Sequence, residues 1–341
     1  MPLRMLANEH LTEFLTALSD HRQLIGPVQE GSTHNFRPVS DPSELDFSYT
    51  MTVLPPSKWI YRNQEPLLDF QVGDPSSARM PAVAEPIALV GVHPCDIHAI
   101  RVMDETLSDT PADTAYMERR RRTIIVGYQC QTPCGEHAFC FDKGTHVAQI
   151  GFDIMMSQLE NGCILESGSD QGDELMGEME FLRNPTFQER QALAHTRENT
   201  VRQHKNRING DLAKLAPALR DSIDGLLWEV VGRKCFSCGS CNIVCPTCYC
   251  FEVVDEVDCL LQEGRRIRIW DACQARNFAV VASGENFRPY SPERNMHRIF
   301  KKEVYVYDKY EMSACVGCGR CNRACIANIN LIEIYNQVLG G

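Results

Sequence analysis

Two runs of cysteine define the chemistry open to this chain. The first is Cys235-x2-Cys238-x2-Cys241-x3-Cys245, followed by Pro246, and the second is Cys315-x2-Cys318-x2-Cys321-x3-Cys325. Each cysteine of the second run lies 80 positions after its counterpart, and a glycine (Gly239, Gly319) and an asparagine (Asn242, Asn322) repeat with them. Three thiolates on a tight loop can each reach a different iron of one cube-shaped cluster, while the fourth stands apart on a turn or helix start. Structural zinc sites favour paired knuckles separated by a longer stretch. A triple x2 spacing that occurs twice therefore points to iron and sulfide. In two-cluster ferredoxins the fourth cysteine of each run serves the cluster of the other. On that pattern Cys235, Cys238, Cys241 and Cys325 hold one [4Fe–4S] cluster, and Cys315, Cys318, Cys321 and Cys245 hold the second. Ile326 stands after Cys325 where a ferredoxin run has proline, which weakens the turn signal and removes no ligand.

The remaining thiols fall into two groups. Cys248 and Cys250 follow Pro246, and Cys273 and Cys259 also lie between the runs. They read as buried thiols packing beside the clusters, as donors that tune cluster potential, or as an additional redox site. In the first half, two buried strands end in cysteine. Residues 86–107 read as a strand, a turn at His93–Pro94 and a helix with Cys95 near its start. Residues 122–146 read as a strand ending at Cys130, with Cys134 and Cys140 in the loop beyond. Adjacent parallel strands bring such ends together. Cys95, Cys130, Cys134 and Cys140 can thus form a four-thiolate site, a zinc site drawing on His93, His98 or His137, or a set of unliganded thiols; the spacing does not choose among them. Asp96 reads as a helix cap, and Cys163 as a strand residue after the Asn161–Gly162 turn.

The elements that must position these thiols follow from apolar spacing. Leu6, Leu11, Phe14, Leu15 and Leu18 predict an amphipathic helix at the start. An α+β or α/β domain is expected over residues 1–215, reached through a charged helix over 202–221. An α-helical two-cluster ferredoxin domain is expected over 216–341. Its helices are predicted from Leu219, Ile223, Leu226, Leu227 and Val230, from the stretch opened by Ser291, and from Leu331, Ile334, Tyr335 and Val338. The 69 residues between the runs, including Phe251–Gly264, exceed the 30–40 or so that separate the runs of a compact two-cluster ferredoxin, and this favours the helical type.

The chain has 341 residues, 17 cysteines and a formal net charge of −11. That charge argues against nucleic acid as a partner. The basic spots Glu118–Arg122 and Arg265–Arg268 read as solvated faces or ion-pair partners. The start of the chain lacks the apolar core and cleavage site of a signal peptide, and no apolar run is long enough for a membrane span. A cytoplasmic location is expected, and clustered cysteines there mean metal rather than disulfides. There is no Gly-x-Gly-x-x-Gly after a strand, no P-loop and no nucleophile triad signature. Redox centres without a recognisable substrate site describe a relay. The other readings are a cluster-containing reductase acting on a disulfide or similar small substrate, and a redox or iron sensor, for which no recognition module is present.

With "GVHPCDIHAI", "AFCFDKGTH", "CFSCGSCNIVCPTCYCF", "WDAC" and "CVGCGRCNRAC" in this order, the chain resembles the family of iron–sulfur electron-transfer subunits found in sulfhydrogenases, as the beta subunit, and in anaerobic sulfite reductases. The resemblance implies a cytoplasmic subunit of a hetero-oligomer. It would pass electrons between a catalytic subunit of hydrogenase or sulfite reductase type and a subunit that binds flavin and NAD(P). It also implies a third [4Fe–4S] cluster at Cys95, Cys130, Cys134 and Cys140, and brings Cys248, Cys250 and Cys273 along as family features without a role.

Overall fold

Two short runs organise the first half: Ile87–Val92 and Thr123–Tyr128 are buried at every position, the pattern of parallel strands covered on both faces. In the computed structural model, which describes residues 2–81 and 85–340, they pair in parallel at the centre of a seven-stranded sheet. Its order is β1 (Leu3–Ala7), β9 (Gly162–Ser167), β8 (Ile154–Leu159), β7 (Thr123–Tyr128), β6 (Ile87–Val92), β2 (Gln23–Glu30) and β3 (Thr33–Pro38). Strands β2, β6, β7 and β8 are parallel, and β3, β9 and β1 complete the edges antiparallel. Phe14, Leu18, Val90 and Val126 pack on one face, and Leu89, Ile97, Ile100 and Ile125 on the other. Each such side chain contributes ~1.5–3 kcal/mol by leaving water. The expected strand–turn–helix around Cys95 is present: His93 precedes the helix Pro94–Ser108, whose first turn tolerates proline because that N–H has no helical partner.

A second, four-stranded antiparallel sheet runs β10 (Phe251–Val257), β11 (Glu263–Trp270), β4 (Glu65–Gln71) and β5 (Asp74–Arg79). It takes one hairpin from each side of residue 215, so the two halves of the chain share a sheet. Both basic spots converge on it. Arg119 and Arg268 each pair with buried Glu65, and Arg268 also pairs with Asp113. Their neighbours Arg265 and Arg266 pair with Asp69 and Asp255, each at 2.7 Å.

The last third packs helices Leu215–Asp221, Leu226–Lys234, Ser291–Phe300 and Leu331–Val338 around Leu219, Trp228, Ile299, Phe300, Leu331 and Tyr335. The Ser291 helix widens to a π turn at Lys301–Tyr305 before continuing as Val306–Tyr310.

Several local expectations are corrected. Leu6 belongs to β1, opposite Cys163, and the first α-helix is Leu11–Ser19; the open edge of β9 recruits residues whose spacing alone also suits a helix. The charged helix over 202–221 is interrupted, because Phe187–Gln203 ends before His204 and Leu215–Asp221 starts anew beyond Asn209–Gly210. The region between the cysteine runs is not purely helical: Val253, Val254 and Val257 suit a strand and lie in β10. Cys259 is exposed at the tip of that hairpin rather than packed beside a cluster. On the Leu226–Lys234 helix the buried face is Trp228 and Val231, while Leu226 and Val230 face solvent.

Candidate iron–sulfur site

The internal repeat has a conformational cause. Gly239 and Gly319 adopt φ of +76° and +79° and cap the short helices Ser240–Ile243 and Arg320–Ala324. A side chain there is strained. At Gly319 a Cβ would also lie 2.4 Å from the carbonyl oxygen of His137. Each glycine turns the chain so that the three x2-spaced cysteines curl around one hollow.

Two cavities result. Cys235, Cys238, Cys241 and Cys325 line the first, with Phe236 and Ile326 at its rim. Cys245, Cys315, Cys318 and Cys321 line the second, with Thr247 and Lys302. The fourth cysteine of each run thus lines the hollow of the other. Cys321, Leu331 and Arg298 border both cavities. Arg298 is buried, its Nη2 donates to the Cys241 carbonyl at 3.1 Å, and its Nε has no partner among the described residues. Lys302 is buried and donates to Thr247 Oγ1 at 2.8 Å.

The donor chemistry fits an iron–sulfur core. Among the described residues no three His, Cys, Asp or Glu converge closely enough for a single metal ion; the thiols ring hollows instead. Burial pushes the Cys241 thiol up to about 11 and the Cys315 thiol to about 12. Bare thiolates are disfavoured there, and a cationic iron core is the counter-charge that would offset their desolvation. Cys238 differs. Its thiol is exposed, and hydrogen bonds from Ser240 hold it below the usual cysteine range.

The second cavity is roofed by the first half of the chain. Phe139 N donates to Gly317 O at 2.7 Å and Thr145 Oγ1 to Val316 O at 2.6 Å. Arg320 makes a two-point ion pair with Asp96 at 2.6 and 2.8 Å, both residues being buried. Asp96 is therefore an ion-pair partner rather than the helix cap its position suggests.

In and beside that roof lie the four cysteines of the first half. Cys95 and Cys140 pack with Val316 and Cys318. Cys130 is close enough to Cys134 and Cys140 for their charges to interact, and Cys134 donates to the Thr50 carbonyl at 2.9 Å. Burial raises Cys134 to about 11 and Cys140 to about 12. Two of the histidines considered with them have other partners. His93 stacks on Tyr49 with centroids 4.1 Å apart, and His98 bonds the Val147 carbonyl at 2.8 Å. Cys163 sits in β9 near Gln158 Oε1, at 3.1 Å.

The surplus thiols form a further group. Asn242 Nδ2 donates to Cys273 Sγ at 3.1 Å and Cys248 Sγ at 3.6 Å. The neighbouring Cys273 thiol, with Lys301 and Lys302, lowers Cys250 to about 6 against the effect of burial. Lys58, from the first half, donates to the Cys248 carbonyl at 2.9 Å. Sequence reasoning missed Arg298, Lys302, Lys58 and Arg320. Their one signal was cationic residues in otherwise apolar helical or loop settings, which surface solvation explains equally well.

Two cysteine-ringed hollows share a wall, and residues 234–329, which supply every cysteine of both rings, match the family model described as a 4Fe-4S dicluster domain. Sulfhydrogenase 2 subunit beta of Pyrococcus furiosus is 33% identical over 337 residues, covering 98% of each chain. The chain belongs to the sulfhydrogenase beta-subunit family. No solved structure matches it. Among the described residues no helix is long and apolar enough to cross a membrane.

Proposed function

We propose that the chain is the electron-relay subunit of a multi-subunit oxidoreductase, with [4Fe–4S] clusters at Cys235/Cys238/Cys241/Cys325 and Cys245/Cys315/Cys318/Cys321. A third is assigned to Cys95/Cys130/Cys134/Cys140. Such clusters, when bound, take up and release single electrons, the complement of a flavin that divides a hydride pair. The observation that carries the reading is the shared wall: Cys321 borders both hollows, and Cys318 of the second packs against Cys95 and Cys140. The thiols therefore form a file from the ends of β6 and β7, where Cys95 and Cys130 follow, to exposed Cys238. The protein's own contribution is to hold the thiolates, keep water from the second hollow with the Phe139–Thr145 loop, and place Arg298 and Lys302 as fixed positive charges. The organisation proposed is a mixed α/β first part to about residue 215 and a dicluster part beyond, joined through the shared sheet. The partners proposed are a catalytic subunit of hydrogenase or sulfite reductase type and a subunit that binds flavin and NAD(P). The relative's name makes it a subunit of a sulfhydrogenase, which supports this.

Iron and acid-labile sulfide per chain, with EPR of the reduced anaerobic protein, test the assignment. About twelve of each corresponds to three clusters and about eight to two. Loss of about four on Cys95→Ala or Cys130→Ala identifies the third site. Zinc without sulfide overturns the relay.

A second reading is favoured by the Cys250–Cys273 pair. A lowered thiol beside a resolving partner is the arrangement that attacks disulfides, so the chain could itself reduce a disulfide or similar small substrate. Loss of such turnover in Cys250→Ala or Cys273→Ala, with iron content intact, would favour it over the relay alone.

A further inference from the structure

We infer that the solvent face beside the first cavity is the docking surface for an electron-exchanging protein whose contact face is acidic. The inference rests on Cys235, Cys238, Cys241 and Cys325 holding a cluster. Leu226 is 81% exposed, Val230 53%, Phe236 69% and Ile326 74%. Leu226 and Val230 are one turn apart on the Leu226–Lys234 helix. That stripe leads straight into Phe236, which with Ile326 forms the rim of the cavity. The helix cannot turn these residues inward, because Gly232 on its other side leaves room only for Pro292: a Cβ there would lie 2.5 Å from the proline ring.

Charge states what fits. Arg233, Lys234 and Arg323 are exposed beside the cavity and, among the described residues, none belongs to an ion pair. Asp224 precedes the helix, and exposed Glu229, one turn before Arg233, is outnumbered by these three cations. A cationic, apolar-centred patch on a chain of net charge −11 is a local reversal of sign, and through Phe236 and Ile326 it reaches the cavity that exposed Cys238 lines. An acidic partner face would be steered to it, and the exposed aromatic and aliphatic side chains are the anchors that such interfaces bury at their centre.

The test uses the tagged chain purified anaerobically from its own cells. Wild type is compared with Leu226→Ser/Val230→Ser, with Lys234→Glu/Arg323→Glu, and with Phe187→Ser, a control at an exposed residue on another helix. Iron per chain, flavin per chain and native mass are read at low and at about 0.5 M salt, where screening shortens to a few ångströms. Both patch variants are expected to keep wild-type iron yet lose at least tenfold of the cofactor-bearing partner, and the control none of it. Salt is expected to weaken wild-type binding in the same direction. Patch variants that retain every cofactor-bearing partner overturn the docking surface. So does a wild-type chain that purifies alone, or a self-association that the variants dissolve, which would assign the face to a second copy. A wild-type chain lacking iron overturns the cluster reading instead.

Discussion

The two cysteine runs share spacing, glycine and asparagine, yet their surroundings are opposite. In the first, Cys238 is open to solvent, Ser240 bonds its thiol, and Asn242 reaches inward to Cys248 and Cys273. In the second, Arg320 occupies the place of Ser240 and is buried against Asp96. Asn322 there donates to the His137 carbonyl and accepts from Leu331 N at 2.9 Å. One repeat thus ends in a surface and the other in an interior. The lesson is that the cysteine spacing specifies a ligand loop, and the residues between the cysteines decide whether that loop meets solvent or protein.

The contrast can be broken most forcefully at the ion pair. Asp96→Asn leaves Arg320 buried without its counter-charge, and a loss of ~3–5 kcal/mol is expected. Ser240→Ala, at the corresponding place in the first run, should cost no more than ~0.5 kcal/mol. Anaerobic denaturant unfolding measures both, and equal losses would erase the distinction. The glycines offer a smaller effect. Gly239→Ala and Gly319→Ala both force a side chain into a left-handed conformation, at ~1–2 kcal/mol. Gly319→Ala must also displace the His137 carbonyl, whereas the nearest atom to a Cβ at Gly239 is 3.0 Å away. Unfolding should therefore place Gly319→Ala at least ~1 kcal/mol below its counterpart.

Chelation sharpens the comparison in time. Iron from the reading proposed above should leave in two phases, the faster from the cavity with exposed Cys238, followed by the absorbance of an iron-specific chelator; a single phase would contradict it. Finally, Arg298→Met removes a positive charge from the wall of both cavities, while Lys302→Met removes one from the second only. EPR redox titration should show both couples more negative in the first variant and one in the second. The size expected is about tenfold in equilibrium constant, or ~59 mV for one electron.

Much of the ligand chemistry was legible in the chain alone, because the cysteine spacing and its repetition are local. The strand–helix context of Cys95 and the strand before Cys130 were legible for the same reason: continuous apolar runs bounded by turn residues. What spacing could not supply was long-range. Leu6 suits a helix or a strand until β9 offers an edge. Leu226 and Val230 repeat as a core stripe would, but Trp228 and Val231 win the interior because the close approach at Gly232 sets the helix rotation. The Phe251–Val257 strand was hidden because its partner, β11, pairs in turn with a hairpin from the other half of the chain. Asp96 looked like a cap because its true partner, Arg320, is 224 residues away.

That shared sheet also governs how the chain must be made. Glu65 and Arg268 are 203 residues apart, and β4 finds β11 only after both have been synthesised. At ~5–20 residues per second the ribosome needs roughly 10–40 s to supply the missing hairpin. Throughout that interval the first hairpin has an unpaired edge, Glu65 lacks Arg268, and the roof over the second cavity has nothing to cover. Assembly of the two halves is thus a late event in translation, and iron delivered earlier would meet thiols that have not yet been gathered.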